Sequence, residues 1–415
     1  MNKSAILLKV KNLLQRRSHN GLSEKEIGFL ASLIGSPMLP DVVPIVFEAS
    51  KKLRNEIFQN TVTLMAPIEL SSYCASNCSF CGWRSTNKNI PRARQNMKSF
   101  EMEVQEVLSK GVSHIELASG DDLFFIREHL PCYIRKIHQL ANDLGSQLIR
   151  VSVCITPLLE KHYKELCKNG LSCVLTWQET YNRSRYFQTI ISGPKRYGIT
   201  KNLKANTSGD GYMFRITSQE NALLAGMQVG VGALLDQNSD IACEVVATIL
   251  HARMLLNHYP NAQPIIFGMP IMQNAVGIKS VFNEDFWDIH FPFIACLYLL
   301  SMPNGKAWVF SNCRVKLDTQ IQSVSLASNF TSTEVRLTPG GYTKSNLIDG
   351  NMKSLEQVSG SIENNVSILQ GEQFAHYFYP HHEYISEMKN LGIDTNTSMP
   401  TNRRKDHVDC CITRR

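Results

Sequence analysis

The chain has 415 residues, of which 43% are hydrophobic and 19% charged, with a formal charge of +7. That balance suits a globular protein with a large buried core and excludes global disorder. The positive charge is thinly spread without a basic run, so nucleic-acid binding is not expected, and no stretch of 18 apolar residues marks a membrane span.

Residues 1–60 read as a helical N-terminal extension, and their first 20 positions mix Lys, Asn, Arg and Gln through the apolar ones. Such a start is unlike a secretory signal, so a cytoplasmic protein is expected. From residue 61, strand-like apolar runs alternate with helix-period stretches. The strand candidates are "TVTLMAPIEL" (61–70), "SHIELAS" (113–119), "QLIRVSVCI" (147–155), "CVLTWQE" (173–179), "MQVGVGALL" (227–235), "PIIFGMPIM" (264–272), "AWVFSNC" (307–313) and "SVSLAS" (323–328). Between them, helical periodicity runs through residues 101–111, 125–145, 157–170 and 242–259, several ending at Gly as a helix stop would.

Strand then helix, repeated, argues for an α/β fold with a parallel sheet wrapped by helices. Eight strands favour a (β/α)8 or near-complete TIM-type barrel over 61–335, with a doubly wound open sheet as the alternative. Residues 192–214 are rich in Gly, Lys, Asn and Ser and read as a long loop at the barrel mouth. A barrel-associated segment over 336–395 and a flexible tail over 396–415 complete the expected organisation.

Of the 12 cysteines, seven are scattered singly through the chain, as buried small hydrophobes would be. Three others, Cys74, Cys78 and Cys81 in "SSYCASNCSFCGW", share one loop in a C-x3-C-x2-C spacing just after the first strand. A structural zinc ion would need a fourth ligand, for which His114 or Cys410 could serve, and would describe a zinc-stabilised binding protein that is not an enzyme. A [4Fe-4S] cluster held by three thiolates would instead keep one iron open to a cofactor.

With Phe80 before its third cysteine, this loop resembles the signature of the radical S-adenosylmethionine (radical SAM) superfamily. "VLTWQETYNRSRY", "SGPK", "FRIT", "GVGALLD" and "GEQFAHYFYPHHEYISEMKNLGI" resemble its aromatic amino acid lyase branch, over about residues 60 to 393. The resemblance implies a [4Fe-4S] cluster on Cys74, Cys78 and Cys81 that cleaves S-adenosyl-L-methionine to a 5'-deoxyadenosyl radical. It also implies cofactor contacts from Phe80, from Ser119, Gly120 and Asp121 of "ASGDD", from Glu179 of "QETY" and from Arg215 of "FRIT". Arg314, beyond the seventh strand, would grip the carboxylate of a free amino acid substrate, and a flavodoxin- or ferredoxin-type donor would supply the electron.

The lyases carry Tyr five residues before the first cluster cysteine, whereas this chain has Glu69. A carboxylate there could accept a hydrogen bond from a substrate N–H or pair with an amine, so the expected activity is cleavage or rearrangement of tryptophan or tyrosine, with tryptophan ahead. Three other activities remain open: the tyrosine lyase of thiamine synthesis, a mutase and a methyltransferase.

Overall fold

The computed structural model describes residues 2–279, 283–343, 348–350, 362–363, 366–367 and 371–395. The expected tail over 396–415, with Cys410, lies outside the described residues, as does most of 344–370.

Helices α1 (Lys3–Gln15), α2 (Glu24–Ala31) and α3 (Leu39–Phe58) come first. Their starts follow from capping chemistry: the Asn2 side chain accepts from the Ala5 N–H, and Ser23 and Glu26 form a capping box. Helix α3 buries Val42, Val46, Leu53 and Phe58 and also Arg54, whose guanidinium donates to the carbonyls of Thr61 at 2.8 Å and Ser328 at 3.2 Å. Ser50, one turn earlier, donates to the Leu326 carbonyl at 2.9 Å. These bonds tie the helix to the chain entering the first and last barrel strands.

The strands are β1 (Thr63–Ser71), β2 (His114–Ser119), β3 (Arg150–Cys154), β4 (Cys173–Leu175), β5 (Gln228–Gly232), β6 (Ile265–Gly268), β7 (Ala307–Ser311) and β8 (Phe330–Ser332). Each pairs in parallel with the next, and β8 returns to β1 through Thr63↔Phe330, Leu64↔Thr331 and Met65↔Ser332. The sheet is a closed (β/α)8 barrel, as the strand count anticipates. Every residue of β1 is buried, because helices cover the outer face and side chains fill the interior. The short strand Ala93–Gln95 adds antiparallel to the end of β1 through Ser71↔Arg94.

Three local expectations are corrected. "SVSLAS" is the end of a helix, Leu317–Leu326, and the eighth strand lies farther on at Phe330. The helix buries Thr319, Gln320 and Ser323 beside Val324, so polar residues on its inner face obscure the 3.6-residue period. The helical stretch 125–145 is split at His129, just before Pro131, into Leu123–Glu128 and Leu130–Asp143. Residues 192–214 are folded rather than loop-like. Ile190–Ser192 pairs with Asn77–Cys78, helical turns span Pro194–Tyr197 and Gly211–Ile216, and Tyr186 Oη donates to the Lys195 carbonyl at 2.6 Å. Tertiary bonds of this kind leave no trace in local composition.

Burial pushes the Arg54 guanidinium down to about 10, and its hydrogen bonds are what make it tolerable there. Arg54→Met should fill the space yet strand the buried Ser328 carbonyl and the part-buried Thr61 carbonyl, lowering unfolding free energy by about 2–4 kcal/mol in urea titration.

Candidate active site

The carboxyl end of β1 delivers the chain to the barrel mouth, where residues 72–88 form the thiol loop. Two glycines let other segments press against it. A Cβ on Gly120 would lie 2.4 Å from the Tyr73 carbonyl, and one on Gly193, at φ +90°, would lie 2.3 Å from the Ala75 carbonyl. The Asp121 N–H donates to Cys74 Sγ at 3.3 Å, and Gln373 Nε2 donates to Cys81 Sγ at 3.4 Å. Cys78 is buried with Tyr186 and Ile190.

Burial pushes the Cys74 thiol up to about 12, with Asp121 and Cys81 adding to it, and burial pushes Cys78 well up against the opposing charge of Lys195. Cys81 raises both of these thiols, and Cys74 also raises Cys78, so the three side chains of the loop are near neighbours. Among the described residues, no three His, Cys, Asp or Glu groups converge as ligands of one metal ion would. Thiolates on one tetrahedral zinc would sit about 4 Å apart, whereas an iron–sulfur cluster takes one thiolate per iron and spaces them more widely. His114 is no fourth ligand: it lies at the opposite end of β2 and bonds Ser152 Oγ at 2.7 Å. Three soft thiolates in one loop suit an iron–sulfur cluster that keeps one iron open, whereas a structural zinc would need a fourth ligand.

Next to the thiols stands a set of buried charges. The Asp121 carboxylate accepts from Ser76 Oγ, which itself accepts from the Lys195 N–H at 2.9 Å. Asp122 turns the other way, to Arg94 at 2.5 Å and Ser71 Oγ at 2.6 Å, and caps the helix beginning at Leu123. Glu179 follows β4 and has an unusual φ of +72°. Its carboxylate meets Lys195 Nζ at 2.7 Å and Arg215 Nη2 at 3.1 Å. Burial alone would raise Glu179, but these two cations hold it below its ordinary 4.5. Arg215 also donates to the Trp177 carbonyl and keeps a buried Nη1 without a partner among the described residues.

These groups face a cavity of about 190 Å³. Phe80, Cys81, Ser119, Asp121, Glu179, Lys195 and Arg215 line it, as do Arg314, Gln373, Phe374 and, from the strands, Glu69 and Glu116. Cys74, Cys78 and Gly120 stand behind the lining. Arg314 donates to the Ile271 carbonyl at 2.7 Å and lies 3.5 Å over the Phe374 ring. Glu69 is 3% exposed, and burial, then Glu116, Glu103 and Glu372, raise it well above the carboxylate range. A larger groove of about 460 Å³ between α1 and α2 is lined by Leu8, Lys9, Leu13 and Phe29, far from any of this chemistry.

The structure thus brings together the residues singled out in the sequence and adds Lys195, Ser76, Glu116 and Gln373. Lys195 sits in the quoted "SGPK", but reading that segment as loop hid its reach. Glu116 shares the period-2 face of Ala118 on β2, a signal that becomes readable once the inward face is known.

No family model matches the chain. It is 26% identical over 232 residues to the 2-iminoacetate synthase of Salmonella typhimurium, a match covering 54% of this chain and 54% of that protein. It is 24% identical over 227 residues to the 3-methylornithine synthase of Methanosarcina barkeri, covering 54% and 57%. The chain therefore spans about half the length of the curated relatives it matches. The hydrogenase maturase HydG from Carboxydothermus hydrogenoformans shares the fold, with a TM-score of 0.71 at 22% identity over 94% of this chain and 79% of that one.

Fold and site together define a (β/α)8-barrel protein with a three-thiol loop at its mouth. The similarity to these relatives agrees with the radical SAM resemblance of the thiol loop and is in keeping with the aromatic amino acid lyase branch. The superfamily's cofactors are a [4Fe-4S] cluster, which the three thiols suit, and S-adenosyl-L-methionine.

Removing one member of the buried ion set should cost stability according to what is left unpaired. Glu179→Gln strands two cations and should lower unfolding free energy by about 3–5 kcal/mol, whereas Lys195→Met leaves Glu179 on Arg215 and should cost less. Because the folded Glu179 carboxyl is held below 4.5, its contribution is complete above that pH and is lost as the pH falls through the folded value. Urea titrations of wild type and Glu179→Gln should therefore differ at pH 7 and draw together as the pH is taken progressively below 4.5.

Proposed function

We propose that this protein is a radical SAM carbon–carbon lyase that fragments or rearranges a free amino acid inside the barrel. One observation carries the reading: Cys81 of the thiol loop lines the same cavity as the Glu179–Lys195–Arg215 set and Arg314. When bound, the cluster and S-adenosylmethionine supply a radical that abstracts hydrogen from the substrate.

The chain's own residues bind, orient and shield. Cys74, Cys78 and Cys81 hold the cluster. Ser119, Gly120 and Asp121 close the turn against the loop, giving the cofactor's amino group a carboxylate to face, while Glu179 and the spare Nη1 of Arg215 offer an acid and a guanidinium donor to a zwitterionic ligand. Phe80 adds an aromatic wall. Arg314, seated over the Phe374 ring and bonded to the Ile271 carbonyl, holds its fork in one orientation for the substrate carboxylate. Met65, Trp83, Val335 and Leu337 line the cavity with apolar surface that keeps water from a reactive intermediate. A flavodoxin- or ferredoxin-type protein as electron source and a cytoplasmic location belong to the same reading.

The motif resemblance favours an aromatic substrate, tryptophan or tyrosine, and includes the thiamine-pathway tyrosine lyase. A second reading, a mutase or related enzyme acting on a non-aromatic amino acid, is favoured by Glu69, whose buried Oε2 has no partner among the described residues.

Anaerobic reconstitution should give a brown protein with about four irons and four sulfides per chain. Cys81→Ala should abolish 5'-deoxyadenosine formation. Arg314→Ala should retain the cluster but lose at least about 2 kcal/mol of amino-acid binding, measured as the substrate-dependent increase in 5'-deoxyadenosine. One bound zinc and no iron would overturn the reading.

A further inference from the structure

Inside the barrel, below the charged mouth, stand two carboxyl groups with no partner among the described residues. Met65, Pro67 and Glu69 alternate inward along β1, Glu116 and Ala118 do so on β2, and all five line the cavity. The parallel register sets Glu69 beside Ala118 and Pro67 beside Glu116, so Glu116 is one layer deeper on the neighbouring strand. Glu69 is 3% exposed and Glu116 8%. Among the described residues neither makes a hydrogen bond or ion pair, and Glu69 Oε2 is fully buried.

The neighbouring cations are occupied elsewhere. Lys195 and Arg215 are on Glu179, and Arg314 is on the Ile271 carbonyl and the Phe374 ring. The charges that act on Glu69 are those of Glu116, Glu103 and Glu372, all carboxyls. Burial pushes Glu116 up to about 7, consistent with a site that stores carboxyls without a counter-ion.

Burying an ionised carboxyl without a partner costs several kcal/mol, which within the protein these two groups relieve only by holding a proton, so a cavity reaching both points to an occupant that brings the partner with it. The donor count selects that occupant. A phenol or an indole has a single donor hydrogen and can meet one carboxyl at a time, whereas an ammonium has three and a guanidinium five. Only the cationic groups can satisfy both carboxyls and neutralise them. Pro67 and Ala118, each beside one of the carboxyls, offer apolar surface for an aliphatic stem.

We propose that Glu69 and Glu116 together form the receptor for a cationic substrate side chain, so that the amino acid accepted here ends in an ammonium or guanidinium group. This rests on the barrel being an amino-acid site anchored by Arg314, and it selects the non-aromatic of the two substrate classes.

Calorimetric binding to the reconstituted protein with S-adenosylmethionine present and no reductant tests it. Lysine, ornithine and arginine probe the cation and its distance, norleucine supplies the stem without charge, and tryptophan and tyrosine represent the aromatic class. At least one cationic amino acid should bind on the order of tenfold more tightly than norleucine, tryptophan or tyrosine. Glu69→Gln and Glu116→Gln should each remove that advantage while leaving norleucine binding unchanged, which also reports an intact cavity. Arg314→Ala should weaken every amino acid. If an aromatic amino acid binds as tightly as any cationic one in an Arg314-dependent way, or if either Gln variant keeps the cationic preference, the receptor is overturned and the amino-acid site stands. If no amino acid binds, the site reading falls and the receptor with it.

Discussion

The candidate site depends on β1 being paired along both flanks. Its nine buried residues bond to β2 on one side and β8 on the other, so its carboxyl end opens at the barrel mouth and not at a sheet edge. The thiol loop that follows has little regular structure of its own. It is held instead by the Asp121 amide, by the Lys195 N–H that donates to its Ser76 hydroxyl, by the strand Ile190–Ser192 and by Gln373. Barrel closure is in turn secured at the other end, where Arg54 and Ser50 of α3 bind the chain around β1 and β8. A parallel barrel abolishes its edges only if the last pairing forms, so these contacts bear on the site from a distance.

Two electrostatic regimes share the cavity. At the mouth, Glu179 is matched by Lys195 and Arg215, and Asp121 by Ser76, so these buried charges are stable before any ligand arrives. In the interior, Glu69 and Glu116 have no such match among the described residues. The mouth is prepared for a ligand carrying both signs of charge, the interior for one that brings positive charge or several donor hydrogens. Arg314 fits this division, because its stacking on Phe374 and its bond to Ile271 fix its direction without neutralising it.

Much of the fold is legible along the chain because parallel strands buried on both faces read as apolar runs, and seven of the eight fall where such runs are. The eighth does not: Phe330–Ser332 is three residues long and too short to carry a pattern, while the helix before it hides its period behind buried Thr319, Gln320 and Ser323. The folded segment around Lys195 is illegible for a related reason. Its stability comes from partners such as Tyr186 and Phe187, distant in no local pattern and unreadable from composition.

By itself, the sequence determined the alternation of strand and helix, the three thiols in one loop and the presence of Glu69 where the resembling lyases have Tyr. Those features are local, set by residue type and spacing. Tertiary structure alone decided that Lys195 completes the Glu179 ion set, that His114 stands far from the thiols, and that Glu116 lies beside Glu69 without a cation. The reason is register. Side chains from strands and loops up to hundreds of residues apart meet only where the closed barrel sets one strand against the next, and burial there decides which charges are paired and which await a partner.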